Sequence, residues 1–205
     1  MIEQGSEQWI QQRLGKLTAS RVADALARIK TGWGASRANL MSSLIIERLT
    51  GQATDTYMND AMRWGIETEP QARDAYCFFM DCEVEKVGFI DHPIIPMSGA
   101  SPDGLVGDDG LLEIKCPASA THLEFLLSGT IADKYQKQMI WQLACTQRQW
   151  CDYVSFDPRF PADLQFKRIR FTPEKGDIAE MEIEAKKFLS ELDAKLADLQ
   201  KLRAA

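Results

Sequence analysis

The spacing of apolar residues divides the chain into a helical first half, a mixed middle and a helical tail. Apolar positions that recur every three or four residues mark helices, and alternating ones mark strands. This pattern predicts a short amphipathic helix over residues 6–14, stopped by Gly15. A second is predicted over 20–30 with Thr18 or Ser20 as its N-cap. A third, over 36–50, carries Leu40, Leu44 and Leu49 on its apolar face and ends at Gly51. Residues 59–80 read as helical again, with Pro70 either kinking the segment or sitting in the first turn of a new helix. The period then shortens to two. Residues 83–90 alternate in the strand manner, 104–110 are turn-rich, and 111–115 (LLEIK) form a short strand. Helices over 119–128 and 133–147 follow, then strands over 149–156 and 165–171. From about 174 to 203, Ile178, Met181, Ala185, Phe188, Leu192, Leu196 and Leu199 step by threes and fours along a charged helix. That stripe predicts packing on the parent core, with subunit contact as the alternative.

Composition narrows the class. The 205 residues suit one domain, with a helical part over 1–80, a sheet core over 81–171 and a C-terminal helix over 174–203. Hydrophobic residues at 45% and charged ones at 26% suffice for a core and exclude a disordered chain. No apolar run reaches membrane-spanning length. The opening MIEQGSEQWIQQR lacks the apolar centre of a secretion signal, so a cytoplasmic location without a membrane partner is expected. Five cysteines, odd in number and without a CxxC, argue against a disulfide framework or zinc ribbon, and Cys116 reads as a small buried apolar residue. Two histidines leave carboxylates as the main chemical resource. The net charge of −6 argues against a nucleic-acid partner until its distribution is read. Residues 1–50 are net +3, 51–110 net −9, 111–172 net +2 and 173–205 net −2. The acidic stretch is either a solvated surface or a site for hard cations.

The chemistry concentrates at Ser101-Pro102-Asp103-Gly104 and Leu112-Glu113-Ile114-Lys115. Glu113 and Lys115 are two apart on one strand and share a face. A turn at Gly107-Asp108-Asp109-Gly110 can bring Asp103 alongside them. Two carboxylates and an ammonium on an apolar strand are costly to bury without a role. With a divalent cation the set makes sense: Asp103, Glu113 and the Ile114 carbonyl supply hard oxygens, and Lys115 orients or deprotonates the attacking water. The plain alternative is a surface hairpin with a Glu–Lys pair.

Pro102-Asp103 with Glu113-Ile114-Lys115 resembles the PD-(D/E)xK nuclease superfamily. Further strings make the likeness closer: Arg13-Leu14-Gly15, Leu17-Thr18-Ala19-Ser20, Trp64-Gly65 with Glu69, Ser101-Pro102-Asp103-Gly104-Leu105, Cys116-Pro117 after Lys115, and Tyr135 with Gln138. In this order and near this spacing they are similar to the bacteriophage lambda exonuclease family of YqaJ-type viral recombination nucleases. The resemblance implies a restriction-endonuclease-like α/β core, a mixed central sheet flanked by helices, and a long C-terminal helix. It implies a Mg²⁺-dependent (or Mn²⁺-dependent) exonuclease using two ions. Such an enzyme degrades the 5′ strand of double-stranded DNA from its ends to mononucleotides and leaves a 3′ single strand. It implies a ring-shaped homotrimer, a single-strand annealing protein as partner, and a phage or prophage origin.

Residue by residue, it implies Asp103 and Glu113 as metal ligands, Lys115 as the catalytic lysine and Glu69 as a ligand to the second metal. Glu69 otherwise reads as a dipole or capping acid at a helix start. Gln138 would hold the attacking water or a phosphate oxygen; Gln142 and Trp141 fall outside the implied site. Arg13, Ser20 and Ser101 match a pocket for the terminal 5′ phosphate, with a helix N-terminus favouring the anion; otherwise Ser20 is an N-cap and Arg13 a surface residue. Arg28, Lys30 and Arg37 flank a loop carrying Trp33, a candidate DNA contact or strand wedge, or else a connector whose Trp33 packs on the core. Rival readings are an endonuclease or junction resolvase on the same core, and a scaffold that binds DNA ends without cutting.

Overall fold

The computed structural model describes residues 2–54 and 58–204. Helix α1 (Glu7–Arg13) is capped by the Ser6 hydroxyl, which accepts from the Trp9 amide. It leads into β1 (Leu17–Thr18), a 3-10 turn (Ala19–Arg21) and a one-turn α2 (Val22–Ala25). The helix expected over 20–30 is therefore not formed. A small hairpin of β2 (Arg28–Ile29) and β3 (Gly32–Trp33) takes its second half, folded at Gly32, whose φ of +136 suits glycine. Helix α3 (Ala35–Thr50) ends at Gly51 in the left-handed conformation. Helix α4 (Asp60–Met80) runs unbroken through Pro70, which neither ends it nor opens a new one.

The strand expected over 83–90 divides into β4 (Val84–Glu85) and β5 (Ile90–Asp91), which enter different sheets. The N-terminal segment crosses between them: Gln4 Nε2 donates to the Val87 carbonyl at 2.8 Å, and the Ile2 carbonyl packs on Gly88 where a Cβ would clash. Then come β6 (Ser98–Ala100), β7 (Gly104–Val106), β8 (Gly110–Lys115), α5 (Ser119–Ser128), α6 (Asp133–Thr146), β9 (Trp150–Phe156), β10 (Phe166–Phe171) and α7 (Asp177–Ala204). The passage read as turns over 104–110 thus contributes a strand of its own.

The main sheet has the order β10-β9-β8-β7-β4 and is mixed, since β8 and β9 run parallel while the other pairs are antiparallel. One face packs Leu112, Ile114, Val154 and Phe156 against Ala72 and Tyr76 of α4. The other packs Leu111, Cys151 and Tyr153 against Met139 and Leu143 of α6 and Phe125 of α5. A smaller sheet, β1-β6-β5, shares the third apolar cluster with α2, α3, α6 and α7. The tail stripe behaves as its period predicts: Met181, Ala185, Phe188 and Leu192 are buried in that cluster. Buried Asp152 ties the sheet to α4, accepting from Arg168, Arg170 and the Tyr76 hydroxyl. These neighbours hold its carboxyl below the ordinary range although burial pushes it up. Among the described residues, no helix is long and apolar enough to cross a membrane.

Candidate active site

The β7–β8 hairpin gathers the acids. Gly107, at φ +53, turns the chain so that Gly104 pairs with Leu112. Asp103 then lies beside β8: its amide donates to the Leu112 carbonyl at 3.1 Å, and its Oδ2 accepts from the Ile114 amide at 2.6 Å. Glu113 and Lys115 share a face, with Nζ 2.5 Å from Glu113 Oε1. Helix α6 passes behind the strand and adds two donors, Gln138 Nε2 to Oε1 at 2.7 Å and Gln142 Nε2 to Oε2 at 2.6 Å. Glu113 is fully buried, and three charge-assisted contacts offset the cost of burying a carboxylate there. Gln142 is a site residue that the sequence reading left out. Its one signal is its position four residues after Gln138, which places both amides on one helix face.

The electrostatics follow from crowding. Burial, then Glu113 and Glu69, push the Asp103 carboxyl well above its ordinary value, against the pull of Lys115 and the Ile114 amide. Burial opposes the charge on Lys115, but Glu113 and Asp103 outweigh it and raise its affinity for the proton. The Cys116 thiol is pushed up to about 12 by burial, Glu69 and Asp103, so it stays protonated. A cavity of about 970 Å³ opens over these groups, and Trp64, Glu69, Lys134, Tyr135 and Arg159 line it with Asp103 and Lys115. Glu69 reaches it from α4 but is paired with Arg73, whose other contact is the Asp103 carbonyl at 3.3 Å. Among the described residues, no group of three His, Cys, Asp or Glu side chains is arranged to hold a metal.

A second cavity, of about 340 Å³, is lined by Trp9, Arg13, Lys16, Ser20, Arg21 and Met62. Arg13 stacks on Trp9 with 3.7 Å between guanidinium carbon and ring centroid, and Trp9 Nε1 donates to the Ser101 hydroxyl at 2.9 Å. Arg13, Ser20 and Ser101 are thus brought together, Ser101 through an indole that the sequence did not single out. Burial and neighbouring Arg21 lower the Arg13 pKa to about 10, against the pull of Glu47. Met62, an exposed apolar residue at the start of α4, lines both cavities. The basic hairpin lies outside them. Arg28 and Arg37 flank the Trp33 ring at 4.2 and 4.0 Å and pair with Glu184 and Glu191 of α7, while Lys30 is exposed.

The model of the YqaJ-like viral recombinase domain matches residues 8–149. The chain belongs to the YqaJ-like viral recombinase family. The matched part of this YqaJ-like chain runs from α1 to just past the end of α6 and so contains Arg13, Glu69, Asp103, Glu113, Lys115, Gln138 and Gln142. Solved structures extend the likeness over the rest. The alkaline exonuclease LHK-Exo from Laribacter hongkongensis is 49% identical, with a TM-score of 0.90 over 97% of this chain and 98% of that one. LHK-Exo in complex with dAMP is 48% identical, with a TM-score of 0.92 over the same shares. A phage-related exonuclease from Haemophilus somnus 129PT, 13% identical, shares the fold with a TM-score of 0.64 over 88% of this chain and 96% of that one. No curated protein matches the YqaJ-like chain.

Proposed function

We propose that this protein is a Mg²⁺-dependent exonuclease that degrades the 5′ strand of duplex DNA to mononucleotides. The observation that carries the reading is the meeting of Asp103, Glu113 and Lys115, with Asp103 and Lys115 lining a cavity and Glu113 buried beneath it, and a second cavity, adjoining at Met62, lined by the half-buried Arg13 guanidinium. An exonuclease needs one place for the bond to be cut and another for the end that sets polarity. An alkaline exonuclease about half identical over nearly the whole chain supports the reaction class, and its complex with dAMP supports a mononucleotide product.

The donor set fits a hard cation. Burial first, and then the neighbouring Glu113 and Glu69 carboxylates, raise Asp103, and a divalent ion would offset the negative charge gathered there. Asp103, Glu113 and the Ile114 carbonyl would hold it, and Mn²⁺ suits the same oxygens. When bound, such an ion makes a water more acidic and offsets charge on the phosphate. Glu69 is the acid placed for a second ion, and Arg73 holds it in reserve. Lys115, protonated between the acids, presents its ammonium to a phosphate oxygen or to the attacking water. Gln138 and Gln142 fix the Glu113 carboxylate, Gln138 on the same oxygen that Lys115 contacts. Arg13 and Ser20, with Ser101 behind Trp9, bind the terminal 5′ phosphate. The apolar start of α4, rather than the Trp33 hairpin, stands between that end and the acids.

The same proposal includes a ring-shaped homotrimer and a single-strand annealing protein that takes the 3′ strand, both implied by the family likeness. A covalently closed circular duplex and the same duplex linearised test the reading. The expected result is digestion of the linear form alone, lost in Asp103→Asn with DNA-end binding retained. Nicking of the closed circle indicates an endonuclease instead, and binding without cutting indicates a scaffold.

A further inference from the structure

The cavity over the acids has a second wall that the proposed chemistry leaves unused. Lys115 ends β8 opposite Ser155 of β9, and Arg159 follows four residues later, past the end of that strand. Its guanidinium is held on three sides. Nε donates to Asp157 Oδ1 at 2.7 Å and Nη2 to Oδ2 at 2.8 Å. Nη2 also approaches the Pro117 carbonyl at 3.3 Å, and the guanidinium carbon lies 4.3 Å from the Trp64 ring centroid. Asp157 is fully buried and is itself fixed by the Ser119 hydroxyl at 2.7 Å. The remaining donor nitrogen, Nη1, has no hydrogen-bond partner among the described residues. With 47% of its side chain exposed, Arg159 lines the cavity beside Trp64 and Lys134.

An arginine fixed this way has lost the side-chain entropy that weakens exposed contacts, and it keeps one free nitrogen, Nη1, whose N–H groups can donate to a phosphate oxygen. Asp157 neutralises much of its charge, so its value lies in placing donors rather than in attracting DNA from a distance. Three phosphates matter to a nuclease that removes one nucleotide at a time. The scissile one belongs at Asp103, Glu113 and Lys115, and the terminal one at Arg13. The scissile phosphate has one other neighbour, on its 3′ side. Building on the nuclease reading above, we propose that Arg159, clamped by Asp157 and stacked on Trp64, grips the phosphate on the 3′ side of the scissile one in the strand being cut. This contact sets which linkage faces the acids.

The test uses a 5′-phosphorylated linear duplex in which the linkage between the second and third nucleotides is either a phosphodiester or an uncharged methylphosphonate. Release of the first nucleotide is followed in a single turnover with Mg²⁺. The modification should slow the wild-type protein by roughly tenfold to a hundredfold, the worth of a charged hydrogen bond. Arg159→Ala should slow the unmodified duplex similarly, and the modification should then add nothing. Arg159→Lys should restore part of the rate on the unmodified duplex. If the two losses multiply, or if Arg159→Ala cuts at the wild-type rate, the contact is not there. Thermal unfolding checks the fold of Arg159→Ala, and Arg159→Gln, which keeps more of the stack on Trp64, serves if that variant fails to fold. Fluorescence anisotropy in chelator separates the two readings: weaker wild-type binding to the modified end supports the contact even without cutting. Equal binding overturns it, while failure of the wild-type protein to cut any duplex overturns only the nuclease reading.

Discussion

Gln142→Leu separates site chemistry from stability. The glutamine is fully buried on α6, its Nε2 2.6 Å from Glu113 Oε2, while its own Oε1 has no partner. Leucine has similar volume and leaves no large cavity. The substitution removes a charge-assisted hydrogen bond of about 1.5–3 kcal/mol and leaves one carboxylate oxygen unpartnered. It also removes a buried orphan acceptor, whose burial costs about 1–3 kcal/mol. The two changes nearly cancel in the folding balance, so the melting temperature should move by no more than about 2–4 °C. They do not cancel in the reaction, because Glu113 loses one of the two amides that fix its plane. Nucleotide release should fall roughly tenfold to a hundredfold, the worth of that one bond. Scanning calorimetry and single-turnover digestion of a linear duplex measure the two effects on one preparation. Wild-type digestion at an unchanged melting temperature would show that Gln142 does not position Glu113.

Three further outcomes follow from other parts of the structure. Arg159 and the Ser119 hydroxyl depress the Asp157 carboxyl to about 2 from 3.8 against the effect of burial. That ion pair therefore stabilises the fold above the unfolded value and is lost as pH falls from about 4 toward 2. Urea midpoints of the wild-type protein should drop across that window more steeply than those of Asp157→Asn, and parallel profiles would refute the assignment. Trp9→Phe keeps the ring under Arg13 but removes the 2.9 Å bond to Ser101. Preference for a 5′-phosphate over a 5′-hydroxyl duplex should shrink roughly threefold to tenfold, about the worth of a neutral hydrogen bond, and an undiminished preference would place the terminal phosphate elsewhere. Light scattering should return about 69 kDa, three times the 23.1 kDa chain; a monomer mass at micromolar concentration would remove the ring.

Much of this arrangement is legible in the residues, for local reasons. Glu113 and Lys115 meet because a strand repeats every two residues, and the glycine-bounded turn sets the hairpin that returns Asp103 to them. The tail helix follows from its apolar stripe alone. What the sequence hides depends on distant segments. The helical pattern over 20–30 gives way to a hairpin whose Trp33 is sandwiched by Arg28 and Arg37, themselves anchored on α7 more than 150 residues away. The strand over 83–90 breaks where the side chain of Gln4 takes a ladder carbonyl. Gln142 and Arg159 look ordinary in sequence, one a helical amide and the other a loop cation. Each acquires a role through partners on other elements: Glu113 for the first, Trp64 for the second.

The central claim, a metal-dependent attack from the 5′ end, is tested most directly with one linear duplex labelled at either the 5′ or the 3′ terminus, digested with Mg²⁺ and again with chelator. The account predicts that the 5′ label appears as a mononucleotide at the earliest time points, that the 3′ label stays in long single strands, and that chelator stops both. Early release of the 3′ label, or unchanged digestion in chelator, would contradict it.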